Sequence, residues 1–156
     1  MIKFFKIVIS IFLFNFLIAN CEEGYTEIEN NCYSESDLEV INIFIQNSPE
    51  INPILDINNN NFIEPLEFCS QEWSENGRLI LLDCNPIIIN GNYNWLEISG
   101  QIPEIIDNWD AIEVLQLPYN NLHGFVPDNI CNLNLEFNIP SIFNLQSNDL
   151  CPPYPE

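Results

Sequence analysis

The chain has 156 residues, of which 47% are hydrophobic, and its 23 Asp and Glu against 3 Lys and Arg give a formal net charge of −20. This length suits a single domain. Nucleic acids and anionic membrane surfaces are bound through Lys and Arg, so the composition excludes both as partners.

Residues 1–20 have the pattern of a secretory signal peptide. Lys3 and Lys6 precede an apolar run from Ile7 to Ile18, and polar sequence follows at once. The run is short for a bilayer span, so we expect cleavage, with a single N-terminal membrane anchor as the alternative. Cleavage would leave Arg78 as the only Lys or Arg and no apolar run long enough to span a membrane.

The residues around Cys21 allow a second interpretation of the N-terminus. The segment 17–21 resembles a loose bacterial lipobox, in which the cysteine is acylated and holds the protein at the cell surface. The expected location is therefore secreted or cell surface. Six cysteines in an exported chain predict three disulfides, and the sequence alone leaves their pairing open.

An amphipathic helix is predicted after the short cysteine finger of residues 21–34. Residues 36–39 have the S-x-x-E spacing of a capping box. Apolar residues then recur at helical spacing from Leu38 to Ile45. We therefore expect a helix from Asp37 to Asn47 that covers the core.

Residues 56–67 resemble a calcium loop of the EF-hand or dockerin kind. The resemblance implies five oxygen ligands at loop positions 1, 3, 5, 9 and 12, which are Asp56, Asn58, Asn60, Glu64 and Glu67. Asn61 stands where such loops place Gly, and two of the ligands are neutral amides, so the implied Ca²⁺ affinity is weak. The alternative is a plain loop that leads into a capping helix.

A repeat occupies the C-terminal half. Gly124 to Pro127 matches Gly100 to Pro103 at an offset of 24 residues, and between them the chain has the pattern I-x-x-L-x-L-x-x-N-x-L from Ile112 to Leu122. Strand alternation predicts that Leu115 and Leu117 point inward. The Asn120 amide should turn inward and bind backbone groups.

This pattern resembles the leucine-rich repeat, and the G-x-I/V-P tail resembles its plant-type subclass. The resemblance implies an α/β solenoid of about three turns over residues 79–150. A helical cap over residues 35–78 would precede it, and a Pro-rich, disulfide-linked cap over residues 151–156 would follow. Residues 85–94 and 138–141 should be insertions.

Position within such a repeat protein also implies a disulfide pairing. Cys69 and Cys84 resemble the N-terminal cysteine cap of plant-type repeats, and Cys131 and Cys151 resemble a C-terminal cap. Cys21 and Cys32 bracket the short N-terminal finger and are expected to form the other pair.

The sequence favours a non-catalytic recognition module over an enzyme. Its single histidine, His123, has no nucleophile placed beside it by the repeat. A protein or carbohydrate ligand is expected on an outward surface formed by Tyr93, Trp95, Val114, Gln116 and Tyr119. The alternatives are a display protein without a specific ligand and a secreted hydrolase that uses paired carboxylates.

Overall fold

The computed structural model describes residues 21–155, so the predicted signal peptide lies outside the described residues. One α-helix, α1, spans Glu35–Gln46. The strands are short: β1 Tyr25–Ile28, β2 Asn31–Ser34, β3 Ser70–Trp73, β4 Leu79–Asp83, β5 Ile87–Ile89, β6 Asn92–Asn94, β7 Ser99–Gly100, β8 Val114–Gln116, β9 Asn121–Phe125, β10 Phe143–Asn144 and β11 Asp149–Cys151.

The N-terminal finger is an antiparallel hairpin of β1 and β2. A disulfide between Cys21 and Cys32 closes it, as expected. The backbone N–H of Ser34 donates to the carbonyl of Gly77 at 2.8 Å, which fixes the finger against the turn between β3 and β4. Gly77 has φ +71°, and an added Cβ would collide with the Cys32 carbonyl, so only glycine fits there.

Helix α1 begins two residues before the expected start. Ser34 is the N-cap, and its hydroxyl accepts from the backbone N–H of Asp37 at 3.3 Å. Ser36, the residue that the capping-box pattern indicated, lies inside the helix, with its hydroxyl 2.9 Å from that of Ser34. The core-facing side of the helix carries Leu38, Val40, Ile41 and Phe44.

Two parallel ladders organise the C-terminal half. In the four-stranded sheet the order is β10-β8-β4-β3, with β3 antiparallel at one edge. In the three-stranded sheet the order is β11-β9-β7, and all of its pairs are parallel. Leu115 and Leu117 are fully buried, as expected from the strand alternation.

The expected α/β solenoid is wrong. The described residues form four small sheets and one α-helix rather than a series of equivalent turns. The hairpin of β5 and β6 interrupts the chain between β4 and β7, and β3 closes one edge of the larger sheet with an antiparallel strand. Insertions of unequal length thus limit the parallel pairing to two short ladders. The 24-residue recurrence in the sequence is therefore not matched by a regular series of turns in the structure.

Two 3-10 helical turns, Ile106–Asn108 and Asp128–Asn132, are joined by amide–carboxylate hydrogen bonds. Asn132 and Asn129 donate to the two carboxylate oxygens of Asp107 at 3.0 and 3.2 Å. Both bonds favour the charged carboxylate and hold the pKa of Asp107 below its usual value. Their stabilising effect is therefore present above the ordinary Asp pKa and is lost as the pH falls through the lowered value.

A buried ion pair connects α1 to the rest of the molecule. The guanidinium of Arg78 donates to both carboxylate oxygens of Asp37, at 2.8 and 2.9 Å, and Asp37 is fully buried. The same carboxylate accepts the backbone N–H of Leu79 at 2.8 Å. The guanidinium also reaches the Asn108 carbonyl at 2.9 Å and the carboxylate of Asp110 at 2.6 Å.

We predict that Arg78→Met destabilises the protein by about 3–5 kcal/mol, because it leaves the Asp37 carboxylate buried without its counter-charge. The matched control is Asp110→Asn, since the Asp110 side chain is 70% exposed. That change should cost less than about 1 kcal/mol. Urea unfolding followed by circular dichroism measures both, and equal losses in the two variants would contradict the assignment.

Candidate ligand-binding cleft

Two of the residues expected on the ligand-binding surface do not form an open surface. Gln116 is only 7% exposed, and its side-chain amide donates to the Pro140 carbonyl at 3.0 Å. Val114 is half-buried. The predicted insertion of residues 138–141 supplies the carbonyl that holds Gln116, so the outward face of β8 is not the open surface that a repeat would present.

The other three expected residues come together in an aromatic patch formed by Tyr93, Trp95 and Tyr119. The Tyr93 and Trp95 rings are nearly parallel, with centroids 6.2 Å apart. The Trp95 and Tyr119 centroids lie 5.6 Å apart. All three side chains remain between 42% and 64% exposed. Such a cluster offers apolar ring faces to solvent, and its polar ring atoms remain accessible.

A shallow cleft of about 350 Å³ adjoins the aromatic patch. The parallel pairing of β7, β9 and β11 brings three separate segments of the chain together, and these segments form the walls of the cleft. The residues that line it are Trp95, Glu97, Tyr119, Asn120, Asn121 and Ser147.

The floor of the cleft is held by Asn120, whose amide points into the protein as expected. Its oxygen accepts the backbone N–H of Ile98 at 3.2 Å, and its nitrogen donates to the carbonyls of Cys84 and Pro118 at 3.2 and 3.0 Å. Buried polar groups with their hydrogen bonds satisfied make a local structure rigid. The backbone on which the aromatic residues stand is therefore fixed.

Asn148 makes hydrogen bonds equivalent to those of Asn120, at the next strand of the ladder. Its oxygen accepts from the backbone N–H of Leu122 at 3.0 Å, and its nitrogen donates to the carbonyls of Leu117 and Leu145 at 2.8 and 3.0 Å. Two equivalent asparagines thus support the same surface from beneath.

The backbone of Trp95 and Tyr119 is also fixed from outside the floor. The Asn52 side chain donates to the Trp95 carbonyl at 2.7 Å, and the Tyr119 N–H donates to the Gln146 carbonyl at 2.9 Å. Both side chains nevertheless remain substantially exposed. A rigid backbone that carries exposed aromatic side chains is typical of a preorganised binding surface.

Three residues lining the cleft have left-handed backbone conformations. Glu97, Tyr119 and Ser147 have φ values of 60°, 56° and 57°. Residues other than glycine pay about 1–2 kcal/mol for this conformation. The described residues include nine non-glycine residues with positive φ, and these three of the nine line the same cleft.

Several polar groups around the cleft have no hydrogen-bond partner within residues 21–155. These groups are the Trp95 indole N–H, the Glu97 carboxylate, the Asn121 amide, and the Tyr119 and Ser147 hydroxyls. Donors and acceptors are therefore both open to a ligand. Asn120 and Asn148, by contrast, use their amides within the protein.

Sequence reasoning missed Glu97, Asn121 and Ser147. For Ser147 a signal was present, since Tyr119 and Ser147 each directly precede one of the two floor asparagines. Glu97 and Asn121 enter the cleft only through the pairing of β7 with β9, in which Ser99 lies opposite Asn121.

A larger cavity of about 590 Å³ lies beside the last strands, β10 and β11. Its lining is mostly apolar and includes Val126, Ile130, Phe137, Phe143, Leu145 and Leu150. It marks the outer edge of the core, and the described residues do not define what covers it. The smaller cleft has the convergent polar groups that orient a ligand, so we assign the candidate site there.

The predicted calcium loop is stabilised by its own hydrogen bonds. The Asp56 carboxylate accepts the backbone N–H groups of Asn60 and Asn61 at 3.0 and 2.9 Å. The Glu67 carboxylate accepts those of Asn58 and Glu64 at 3.1 and 3.2 Å.

Side chains of this loop also bind one another. The amide nitrogens of Asn58 and Asn60 donate to the Glu64 carboxylate at 3.2 and 2.6 Å. Within residues 21–155 no group of three or more His, Cys, Asp and Glu side chains is placed to hold a metal ion. Calcium binding at this loop stays a prediction from the sequence.

Two disulfides are formed by the described residues, Cys21–Cys32 and Cys69–Cys84. The expected Cys131–Cys151 bond is not among them, so the disulfide-linked C-terminal cap is wrong. Cys151 ends β11 in register with Phe125, whereas Cys131 lies beyond Pro127 in the next 3-10 turn. The disulfides are consistent with an extracellular protein.

Comparison with known proteins adds no assignment: no family model matches the sequence, and no curated protein matches it. Across the described part of the chain, no helix has the length and apolar character needed to cross a membrane.

The calcium prediction is tested by thermal melts with about 10 mM calcium against the same concentration of magnesium. A dissociation constant near 0.1 mM would stabilise the folded state by about 2.7 kcal/mol at a hundredfold excess. Asp56→Asn should remove the calcium-dependent shift, and Glu75→Gln, an exposed acidic residue elsewhere, should keep it. A melt that calcium leaves unchanged would show that the loop serves only as a cap.

Proposed function

We propose that this protein is a secreted, non-catalytic recognition module that binds a protein or carbohydrate ligand at the cleft beside Trp95. The observation that carries the proposal is the coincidence of three exposed aromatic rings with unpartnered polar groups on a fixed backbone. Exposed aromatic side chains on a rigid support bind with little loss of conformational entropy.

The extracellular location is supported by two independent features. Residues 1–20 have the pattern of a signal peptide, and both N-terminal disulfides are formed. Anchoring through an acylated Cys21 is disfavoured in this proposal, because the Cys21 sulfur is bonded to Cys32.

A relationship to leucine-rich repeat proteins is also proposed, and the sequence motif from Ile112 to Leu122 supports it. The proposed site does not depend on this relationship. It is built from the β5–β6 hairpin and the β7–β9–β11 ladder, and the outward face of β8 takes no part in it.

The proposal predicts binding that depends on Trp95. Wild-type protein is applied to an array of immobilised glycans and extracellular proteins, beside Trp95→Ala and the control Phe62→Ala. Trp95→Ala should weaken binding by about tenfold or more, since a central aromatic residue contributes most to recognition. Phe62 is 72% exposed and lies outside the cleft, so its loss should change nothing.

Trp95 is 47% exposed and lies outside the buried core, so the variant should remain folded, which circular dichroism checks. Binding that survives in Trp95→Ala would place the site elsewhere. The absence of any bound ligand would favour the alternative of a display protein without a specific ligand.

A further inference from the structure

We propose that the ligand of the cleft is a neutral oligosaccharide; this inference rests on the proposed function and names its ligand class. It is carried by the exposed aromatic patch, the mixture of hydrogen-bonding groups, the sign of the charge and the small size of the site.

The rings of the aromatic patch are contiguous but not coplanar. The Trp95 centroid lies 6.2 Å from that of Tyr93, with the two rings 23° from parallel, and 5.6 Å from that of Tyr119, with those rings tilted by 55°. A pyranose presents apolar C–H groups on its ring faces, and these pack against aromatic faces as other apolar groups do. The exposed parts of Tyr93, Trp95 and Tyr119 can therefore pack against the ring faces of a saccharide.

The polar groups suit hydroxyl ligands. Each sugar hydroxyl both donates and accepts, and the cleft offers both kinds of partner. The Glu97 carboxylate only accepts, the Trp95 indole N–H only donates, and the Asn121 amide and Ser147 hydroxyl do both. A purely apolar partner would bury these groups without hydrogen bonds, which costs free energy.

The charge of the site rejects anionic sugars. Glu97 is the only charged residue of the cleft, and it is negative. Arg78 is the only Lys or Arg among residues 21–155, and both Asp37 and Asp110 already hold its guanidinium. No described cation is therefore open to pair with a uronate or sulfate group, and the excess of acidic residues repels it.

The size of the site favours a saccharide over a protein. The aromatic patch and the cleft together comprise seven residues. A stable protein interface uses about 20–30 residues on each side. The cleft volume of about 350 Å³ lies instead at the lower end of the range for small-ligand pockets.

Isothermal titration calorimetry with cellohexaose, chitohexaose and mannohexaose, each up to about 5 mM, tests the proposal, and trigalacturonate serves as the anionic comparison. We expect at least one neutral hexasaccharide to bind and trigalacturonate not to bind. Trp95→Ala should weaken the binding by about tenfold or more and Asn121→Ala by a smaller factor. Phe62→Ala should leave the affinity unchanged.

The salt dependence of the binding affinity distinguishes a neutral saccharide from a basic protein. The affinity for a neutral saccharide should stay constant between about 50 and about 500 mM NaCl, whereas the binding of a basic partner to an acidic site should weaken.

Failure of all three hexasaccharides would overturn the saccharide proposal. If a protein of the array were then bound in a Trp95-dependent manner, the recognition function would stand with a different ligand class. If neither bound, the recognition function itself would be wrong.

Discussion

The structure depends on one ion pair. Asp37 is fully buried in a chain with 23 acidic residues, and Arg78 and the Leu79 N–H donate to its carboxylate. The Asp37 hydrogen bonds in turn raise the pKa of Arg78 further above its ordinary value. A buried carboxylate without such partners would carry a desolvation cost of several kcal/mol.

The geometry of this pair orders three parts of the fold. Asp37 lies in the first turn of α1, and Arg78 directly precedes β4. The indole N–H of Trp109 donates to the Asp37 carbonyl at 3.0 Å, and the Trp109 ring stacks on Phe44 at 5.8 Å. Helix α1, the sheet that contains β4 and the turn at 106–108 are therefore fixed together. The ladders that form the cleft extend from this part of the fold.

Local spacing predicted several features of the fold correctly, although it placed the start of α1 two residues late. Alternation predicted the burial of Leu115 and Leu117, and the motif predicted the inward amide of Asn120. The resemblance to a repeat cap predicted the Cys69–Cys84 disulfide, and the bracketing of the N-terminal finger predicted Cys21–Cys32. The insertion at residues 85–94 was expected, but the solenoid was wrong because a motif that matches only short segments does not predict how the segments between them pair: residues 87–94 form a separate hairpin, and β3 joins the larger sheet as an antiparallel edge.

Contacts between distant segments could not be predicted in the same way. Among so many carboxylates the partner of Arg78 cannot be chosen by spacing, since Asp37 lies 41 residues away. Gln116 follows the alternation, yet the Pro140 segment covers it. Trp95 and Tyr119 were expected at the ligand surface, but Glu97 and Ser147 join them only through the strand pairing and their left-handed backbone.

The central claim is that the face beside Trp95 takes the ligand. The indole N–H groups of the three tryptophans test this claim most directly, because only one of them is open to a ligand. The Trp109 indole is fully buried and donates to the Asp37 carbonyl, and the Trp73 indole donates to Gln71 at 2.9 Å. The Trp95 indole N–H has no partner among the described residues. In ¹H–¹⁵N correlation spectra of the protein titrated with the neutral hexasaccharides, the account predicts that the Trp95 indole resonance shifts while those of Trp73 and Trp109 stay in place. A titration that moves the Trp73 or Trp109 resonance, or none of the three, would contradict it.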